Sequence, residues 1–114
     1  MVAQRCSRDG APVAPGQVLI TTGSQQALDL IAKTLVEQGR NLLVETPTYL
    51  GALQAFSLFE PHFVSVPCDE SGPLAGELSR CAEAPASAFY LLPNFQNPSG
   101  RRIPNGCSAP AAAA

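Results

Sequence analysis

Small polar residues stand between a β-branched run and a helical pattern in the segment ITTGSQQALDL. The first turn of a helix offers backbone N–H groups without intrahelical partners and a partial positive charge. Gly23, Ser24 and Gln25 could therefore bind a phosphate, with Gly23 letting the backbone approach the anion closely. The alternative is that Ser24 is an ordinary N-cap, a role that serine favours. Neither a P-loop motif nor a GxSxG motif surrounds Ser24, which argues against a nucleotide P-loop and a hydrolase nucleophile.

Two further polar clusters carry an aromatic ring and an amide. In ETPTY, Tyr49 could stack on a flat ligand, and Pro47 would stiffen the turn that aims the ring. In NFQNPSG, Asn97 precedes Pro98, and an X-Pro bond that can be cis would hold the Asn97 amide in one direction. Each cluster has a plain alternative, which is a half-buried structural tyrosine for Tyr49 and a simple turn for the second cluster.

Alternating strand and helix patterns place these clusters. Strands are predicted at 17–21, 41–45, 62–67 and 88–92, and helices at 24–38, 50–59 and, weakly, 74–81. Strands separated by helical crossovers predict an α/β fold with a partial, mostly parallel sheet of three to four strands. Ligands of such folds gather at the carboxyl ends of the strands. Because each polar cluster follows a predicted strand, we expect the three clusters to converge on one site.

Composition limits the classes of function. The chain has 114 residues, of which 46% are hydrophobic and 14% charged, which fits one small globular domain. A net charge of −2, with no basic cluster beyond Arg101 and Arg102, predicts no nucleic-acid partner. Four widely spaced cysteines and a single histidine predict no metal site. The sequence has neither a signal-like segment nor a long apolar run, so we expect a cytoplasmic protein with no membrane partner.

The three clusters lie within longer segments that resemble the fold-type I aminotransferases of the class I and II superfamily, which use pyridoxal 5′-phosphate. The likeness is strongest to the 2-aminoadipate-type aminotransferases and to the aminotransferase-like domains of certain bacterial regulators. It is carried, in this order, by PVAPGQVLITTGSQQALDLIAKTL, LLVETPTYLGALQAF and FYLLPNFQNPSGRRI. The resemblance implies that residues 1–104 are a fragment of the large, cofactor-binding domain. Residues 105–114 are rich in Ala, Pro and Ser, and we expect a disordered tail there.

The resemblance also implies roles for the polar residues. Gly23, Ser24 and Gln25 match the helix start that holds the cofactor phosphate in this family. Tyr49 matches the aromatic residue that stacks on the pyridine ring, and Asn97 matches the asparagine that hydrogen-bonds the phenolic oxygen of the ring. The prolines of the second and third clusters match prolines that are often cis in relatives. Phosphate binding thus becomes the favoured interpretation of Ser24.

The chain also departs from the family. In relatives, the aspartate that keeps the pyridine nitrogen protonated, the lysine that binds the cofactor covalently and the arginine that grips the substrate all follow the third motif. Lys33 is the only lysine here, and it lies in the first predicted helix. We therefore assign no catalytic residue and expect the chain alone to be inactive. The likeness ends after GRRIP, so we expect either a fragment or a reading frame that is truncated or shifted near Pro104.

Two functions remain open. The preferred one is a piece of a pyridoxal-phosphate aminotransferase whose full-length parent, an expected homodimer, exchanges an amino group between an amino acid and a 2-oxo acid. The alternative is a non-catalytic module, either part of an aminotransferase-like transcriptional regulator or a degenerate truncated product. A regulator would need an N-terminal helix-turn-helix segment, which the sequence lacks, so the first function is preferred.

Overall fold

The computed structural model describes residues 2–7 and 12–104. The low-complexity tail predicted for residues 105–114 lies outside this part of the chain. Residues Pro15–Gln17 form a 3-10 turn. The helices are α1 (Val2–Cys6), α2 (Ser24–Leu35), α3 (Leu50–Ser57) and α4 (Ala75–Cys81), and the strands are β1 (Asn41–Glu45), β2 (His62–Val66), β3 (Cys68–Asp69), β4 (Gly72–Pro73) and β5 (Ala86–Tyr90).

Strand β1 is the centre of a three-stranded sheet with the order β2-β1-β5. It runs parallel to β2 along its whole length, with Asn41 opposite His62 and Glu45 opposite Val66. Its pairing with β5 is parallel as well. Helix α2 precedes β1, α3 lies between β1 and β2, and α4 lies between β4 and β5. These pairings confirm the predicted α/β fold with a partial, mostly parallel sheet.

The core lies where α2 and α3 pack against the sheet. Leu28 and Ala32 are four residues apart on α2 and are both buried, whereas Lys33 pairs with Asp29 at 2.6 Å on an exposed part of the helix. This division follows from the apolar stripe in the sequence. The core cluster consists of Leu28, Ala32, Leu42, Ala52, Ala55 and Phe56.

The strand predicted at 17–21 does not form. The Pro15–Gln17 turn occupies the start of this segment, and the Gln17 side chain closes it by accepting a hydrogen bond from the Ala14 amide at 2.9 Å. Leu19 and Ile20 then follow in extended but unpaired chain, 75% and 71% exposed. A β-branched run becomes a strand only when another strand edge lies beside it, and among the described residues none does.

The other predicted elements form with small shifts in their bounds. Helix α2 ends at Leu35 rather than 38, α3 ends at Ser57 rather than 59, and β5 covers Ala86–Tyr90 rather than 88–92. The last shift has a visible cause, because the Leu92 amide donates to the buried Glu45 carboxylate at 2.9 Å instead of extending the strand pairing. Side-chain competition of this kind ends a strand where periodicity would continue it.

The antiparallel pair β3–β4 was not predicted. Cys68 lies opposite Pro73 and Asp69 opposite Gly72. The turn is held by the Ser71 amide, which donates to the Asp69 carboxylate at 2.7 Å, and Gly72 has a positive φ of 113° that favours glycine. The segment CDESGP therefore carried a turn signal, but strands of two residues are too short for a periodic pattern.

Leu42 tests where the core lies. We expect Leu42→Ala to lower the free energy of unfolding by about 2–5 kcal/mol, because Leu42 is 1% exposed at the centre of the cluster and its truncation leaves a cavity. Leu58→Ala is the control, since Leu58 is 77% exposed. Chemical denaturation followed by circular dichroism measures both, and equal losses in the two variants would contradict this assignment of the core.

Candidate functional site

One cavity of about 430 Å³ brings the three polar clusters together. It lies where α2 begins, beyond the carboxyl ends of β1 and β5. Its polar lining side chains are Ser24, Tyr49, Tyr90 and Asn97, and the rest of its wall is apolar. Three of the five residues predicted from the sequence therefore share one wall. Gly23 and Gln25 lie beside it without lining it.

The start of α2 presents unpaired backbone donors. Gly23 is the N-cap, with a φ of 104°, and no side chain caps the helix. The interpretation of Ser24 as the N-cap is therefore wrong, because Ser24 is already the first helical residue. The first amide to bond within the helix is that of Ala27, to the Gly23 oxygen at 3.4 Å. Within residues 12–104, the amides of Ser24 and Gln25 have no hydrogen-bond partner.

The Gln25 side chain forms a contact between two helices. Its Nε2 donates to the Gly51 carbonyl oxygen at 3.3 Å, which links the start of α2 to the start of α3. Only the backbone amide of Gln25 therefore remains for an anion. Gln26 was not among the residues predicted from the sequence. Its Oε1 accepts hydrogen bonds from the Thr22 amide at 2.7 Å and from the Thr22 hydroxyl at 3.1 Å. Gln26 lies three residues after the N-cap Gly23, the position at which a capping box has Glu or Gln, and this spacing was the signal available in the sequence.

Tyr49 precedes α3 and folds back over it. Its ring is half-buried and packs against the edge of the core cluster while also lining the cavity. A Cβ built on Gly51 would lie 2.5 Å from the Tyr49 ring, so only glycine leaves room for this ring position. The structural interpretation of Tyr49 and the ligand-stacking one are thus both compatible with the geometry.

Asn97 is exposed in the loop after β5, and its side chain makes no hydrogen bond with residues 2–7 or 12–104. The amide is therefore available to a ligand. The Thr46–Pro47 and Asn97–Pro98 peptide bonds are both cis, as the family resemblance implied.

Tyr90 lines the cavity and was not among the predicted residues. It ends β5 and packs edge-on against Phe56, with ring centroids 5.7 Å apart. Burial raises the pKa of the Tyr90 hydroxyl, and the nearby Glu45 and Tyr49 raise this pKa further. Tyr90 is therefore a neutral hydrogen-bond donor at physiological pH. A tyrosine at the end of an apolar strand was the signal available in the sequence.

Other kinds of site find little support in the described residues. A second cavity, of about 460 Å³, is lined by residues of α3, β1 and β2 and contains none of the predicted site residues. Residues 2–7 and 12–104 contain no group of three or more His, Cys, Asp or Glu that could hold a metal ion. In the same residues, no helix combines the length and the apolar character that a membrane crossing requires.

The chain is similar in sequence and fold to parts of known proteins. The 2-aminoadipate transaminase of Thermus thermophilus is 48% identical over 93 residues, which are 81% of this chain and 23% of the relative. A crystal structure of the Thermus thermophilus α-aminoadipate aminotransferase LysN, complexed with N-(5′-phosphopyridoxyl)-L-leucine, matches 90% of this chain with a TM-score of 0.79 and 45% identity. The chain is therefore similar to part of the pyridoxal-phosphate-dependent aminotransferases.

The chain spans about a quarter of the length of the proteins that it matches. Its fold is that of a fragment of the aminotransferase large domain. An HTH-type transcriptional regulator of Escherichia coli, YdcR, is 33% identical over 101 residues, which are 87% of this chain and 22% of the regulator. No protein-family model matches the sequence.

The raised pKa of Tyr90 predicts a pH dependence of stability. A tyrosine whose pKa is higher in the folded state loses its proton more readily after unfolding, so folding is favoured below the unfolded pKa of about 10 and weakened as pH rises above it. We expect the free energy of unfolding to fall above that pH, and to fall less steeply in Tyr90→Phe. Denaturation at a series of pH values measures this, with Tyr49→Phe for comparison, and identical slopes in wild type and Tyr90→Phe would disprove it.

The absence of a side chain at Gly51 allows the Tyr49 ring to occupy its position. We expect Gly51→Ala to displace the ring from the cavity wall, because the added Cβ would overlap it. Gly76→Ala is a matched control, since Gly76 is also the second residue of its helix and a Cβ there meets nothing within 4 Å. Nuclear magnetic resonance of the tyrosine ring protons tests this. The prediction fails if the Tyr49 signals shift as little in Gly51→Ala as in Gly76→Ala.

Proposed function

We propose that this chain supplies part of the pyridoxal 5′-phosphate site of an aminotransferase that exchanges an amino group between an amino acid and a 2-oxo acid. The supporting observation is that Ser24, Tyr49 and Asn97, which are far apart in sequence, line one cavity. A cavity of about 430 Å³ is within the usual range for a small-molecule site.

The phosphate would bind at the start of α2. The unpartnered amides of Ser24 and Gln25 and the Ser24 hydroxyl are donors, and the helix dipole adds a partial positive charge. The absence of a capping side chain leaves this end of the helix open, because Gly23 has no side chain that could occupy the anion position.

The ring would lie between Tyr49 and the apolar wall. Tyr49 would stack on it, and the Asn97 amide would donate a hydrogen bond to its phenolic oxygen. The neutral Tyr90 hydroxyl offers a further donor to the same cavity. When bound, the cofactor supplies the electron sink on which aminotransferase chemistry depends. The residues of this chain bind and orient that group, and the half-buried tyrosines keep water from one face of it.

Lys33 is unsuited to covalent catalysis. It lies nine residues after Ser24 along α2, a distance of about 13 Å on a helix, and its ammonium pairs with Asp29 at 2.6 Å on an exposed part of the helix. We therefore propose that the 114-residue chain binds the cofactor without turnover. For the parent protein we propose a cytoplasmic homodimer with amino-acid and 2-oxo-acid substrates and no nucleic-acid partner.

A second candidate is a cofactor-sensing module of a transcriptional regulator, which the similarity to YdcR favours. It predicts the same cavity and the same absence of turnover in this chain. Sequencing the complete transcript discriminates between the two, because a helix-turn-helix segment upstream supports the regulator and a lysine-bearing segment downstream supports the enzyme.

Ser24→Asp tests the phosphate site. The new carboxylate occupies the anion position and repels phosphate, while it stabilises the start of α2 by about 0.5 kcal/mol. We expect at least a tenfold loss of affinity for pyridoxamine 5′-phosphate without loss of stability. This probe carries an amine in place of the aldehyde, so it cannot condense with Lys33, and calorimetric titration measures its binding.

Ser79→Asp is the matched control, because Ser79 is an exposed serine on α4 and adds the same charge away from the cavity. Its affinity should equal that of wild type. Equal affinities in Ser24→Asp and Ser79→Asp, or no binding by the wild-type chain, would refute the proposed function.

A further inference from the structure

Gln96 is a buried amide within an exposed loop. Only 2% of its surface reaches solvent, whereas its neighbours Phe95 and Asn97 are both exposed. Burying an amide costs free energy unless its donor and acceptor both find partners. The positions of those partners therefore show what the side chain connects.

The Gln96 side chain joins two loops that are 49 residues apart in sequence. Its Nε2 donates to the Pro47 carbonyl oxygen at 2.5 Å. Its Oε1 accepts from the Ser99 amide at 2.8 Å and also from the Ser99 hydroxyl. We name these contacts among Gln96, Pro47 and Ser99 the Gln96 bridge.

The backbone of Gln96 is held as firmly as its side chain. Its amide donates to the Arg101 oxygen at 2.8 Å, and its own oxygen accepts from the Gly100 amide. The residue is thus fixed in the loop after β5, and the bridge carries that position across to the loop after β1. Asn97 directly follows Gln96, and Tyr49 lies two residues after Pro47, so both cavity-lining side chains are adjacent to the bridge.

We propose that Gln96 is a positioning residue that holds Tyr49 and Asn97 at a fixed separation across the cavity. This inference rests on the proposed function, since it gives the bridge a role in cofactor binding. Gln96 does not line the cavity and acts through the two loops. The start of α2, where phosphate would bind, takes no part in the bridge. The bridge therefore affects the ring contacts and leaves the phosphate contacts unchanged.

The chemistry of the amide supplies a test. Gln96→Met has a similar length but neither donor nor acceptor. Gln96→Glu keeps the acceptor for Ser99 but turns a negative oxygen toward the Pro47 carbonyl. Both variants should bind pyridoxamine 5′-phosphate about tenfold more weakly than wild type, the effect of losing one well-formed buried hydrogen bond. Binding of inorganic phosphate, followed by nuclear magnetic resonance, should stay unchanged.

The comparison of the two probes separates positioning from general stability. A merely structural role of Gln96 would weaken the binding of both probes together. Gln54→Met and Gln54→Glu are the matched controls, because Gln54 is an exposed glutamine on α3 outside the cavity lining. They should bind both probes as wild type does. If Gln96→Met does not fold, Ser99→Ala is the second variant. It removes the hydroxyl contact to Oε1, together with the longer contact that this hydroxyl accepts from the Arg101 amide at 3.3 Å, and should weaken the binding of pyridoxamine 5′-phosphate by about two- to threefold.

Equal affinity for pyridoxamine 5′-phosphate in wild type and the Gln96 variants would overturn the proposed positioning role of the Gln96 bridge. A parallel loss of phosphate binding would overturn it as well. Failure of the wild-type chain to bind pyridoxamine 5′-phosphate would instead overturn the proposed function. Amide hydrogen exchange then decides on the bridge separately, because Gln96→Met should speed exchange of the Ala52 and Leu53 amides, which donate to the Tyr49 oxygen, while leaving β1 unchanged. No increase at these two amides would overturn the proposed role of the bridge in that case as well.

Discussion

Parallel pairing of β1 with both of its neighbours is the constraint on which the candidate site depends. Strands that run in one direction end at one edge of the sheet, so the loops that follow β1 and β5 start side by side. Helix α2 packs against α3 and thereby brings its own first turn to the same edge. The cavity is the space that these three chain segments leave between them. Its polar lining comes from the first residue of α2, the last residue of β5 and the loops that follow β1 and β5.

The buried Glu45 shows how closely the sheet and the site are connected. Its carboxylate ends the pairing of β5 by accepting the Leu92 amide, and its charge helps to keep the Tyr90 hydroxyl protonated. A carboxylate in the core is costly unless it is hydrogen-bonded. Here the contact from the Leu92 amide that satisfies the carboxylate also determines where β5 gives way to the loop that carries Asn97.

Most of the α/β alternation could be predicted from the sequence, because β1 and the helices α2 and α3 have strong hydrophobic periodicity. The strand expected at 17–21 failed because strand formation depends on a neighbouring edge, which local sequence does not encode. The convergence of Tyr49 and Asn97 could be anticipated from topology, because both follow strands that form, whereas Ser24 reaches the same edge through the packing of α2 on α3. Their roles toward a cofactor came from the family resemblance and stay a prediction.

The parts of the site that could not be predicted depend on long-range contacts. The Gln96 amide reaches Pro47 across 49 residues, and the Gln25 side chain reaches Gly51 rather than an anion. Neither contact leaves a periodic pattern. Tyr90 was overlooked for a related reason, because its phenol reaches the cavity only once β5 has been placed beside β1.

The position of Lys33 has a practical consequence. Lys33 is the only lysine of the chain, and its side chain is more than half exposed. It lies near the C-terminal end of α2, whereas Ser24 begins the helix. Lys33 is not among the residues that line the cavity, so a fluorescent dye or a solid support can be coupled to this side chain without modifying the lining. Breaking its solvent-exposed ion pair with Asp29 costs little stability.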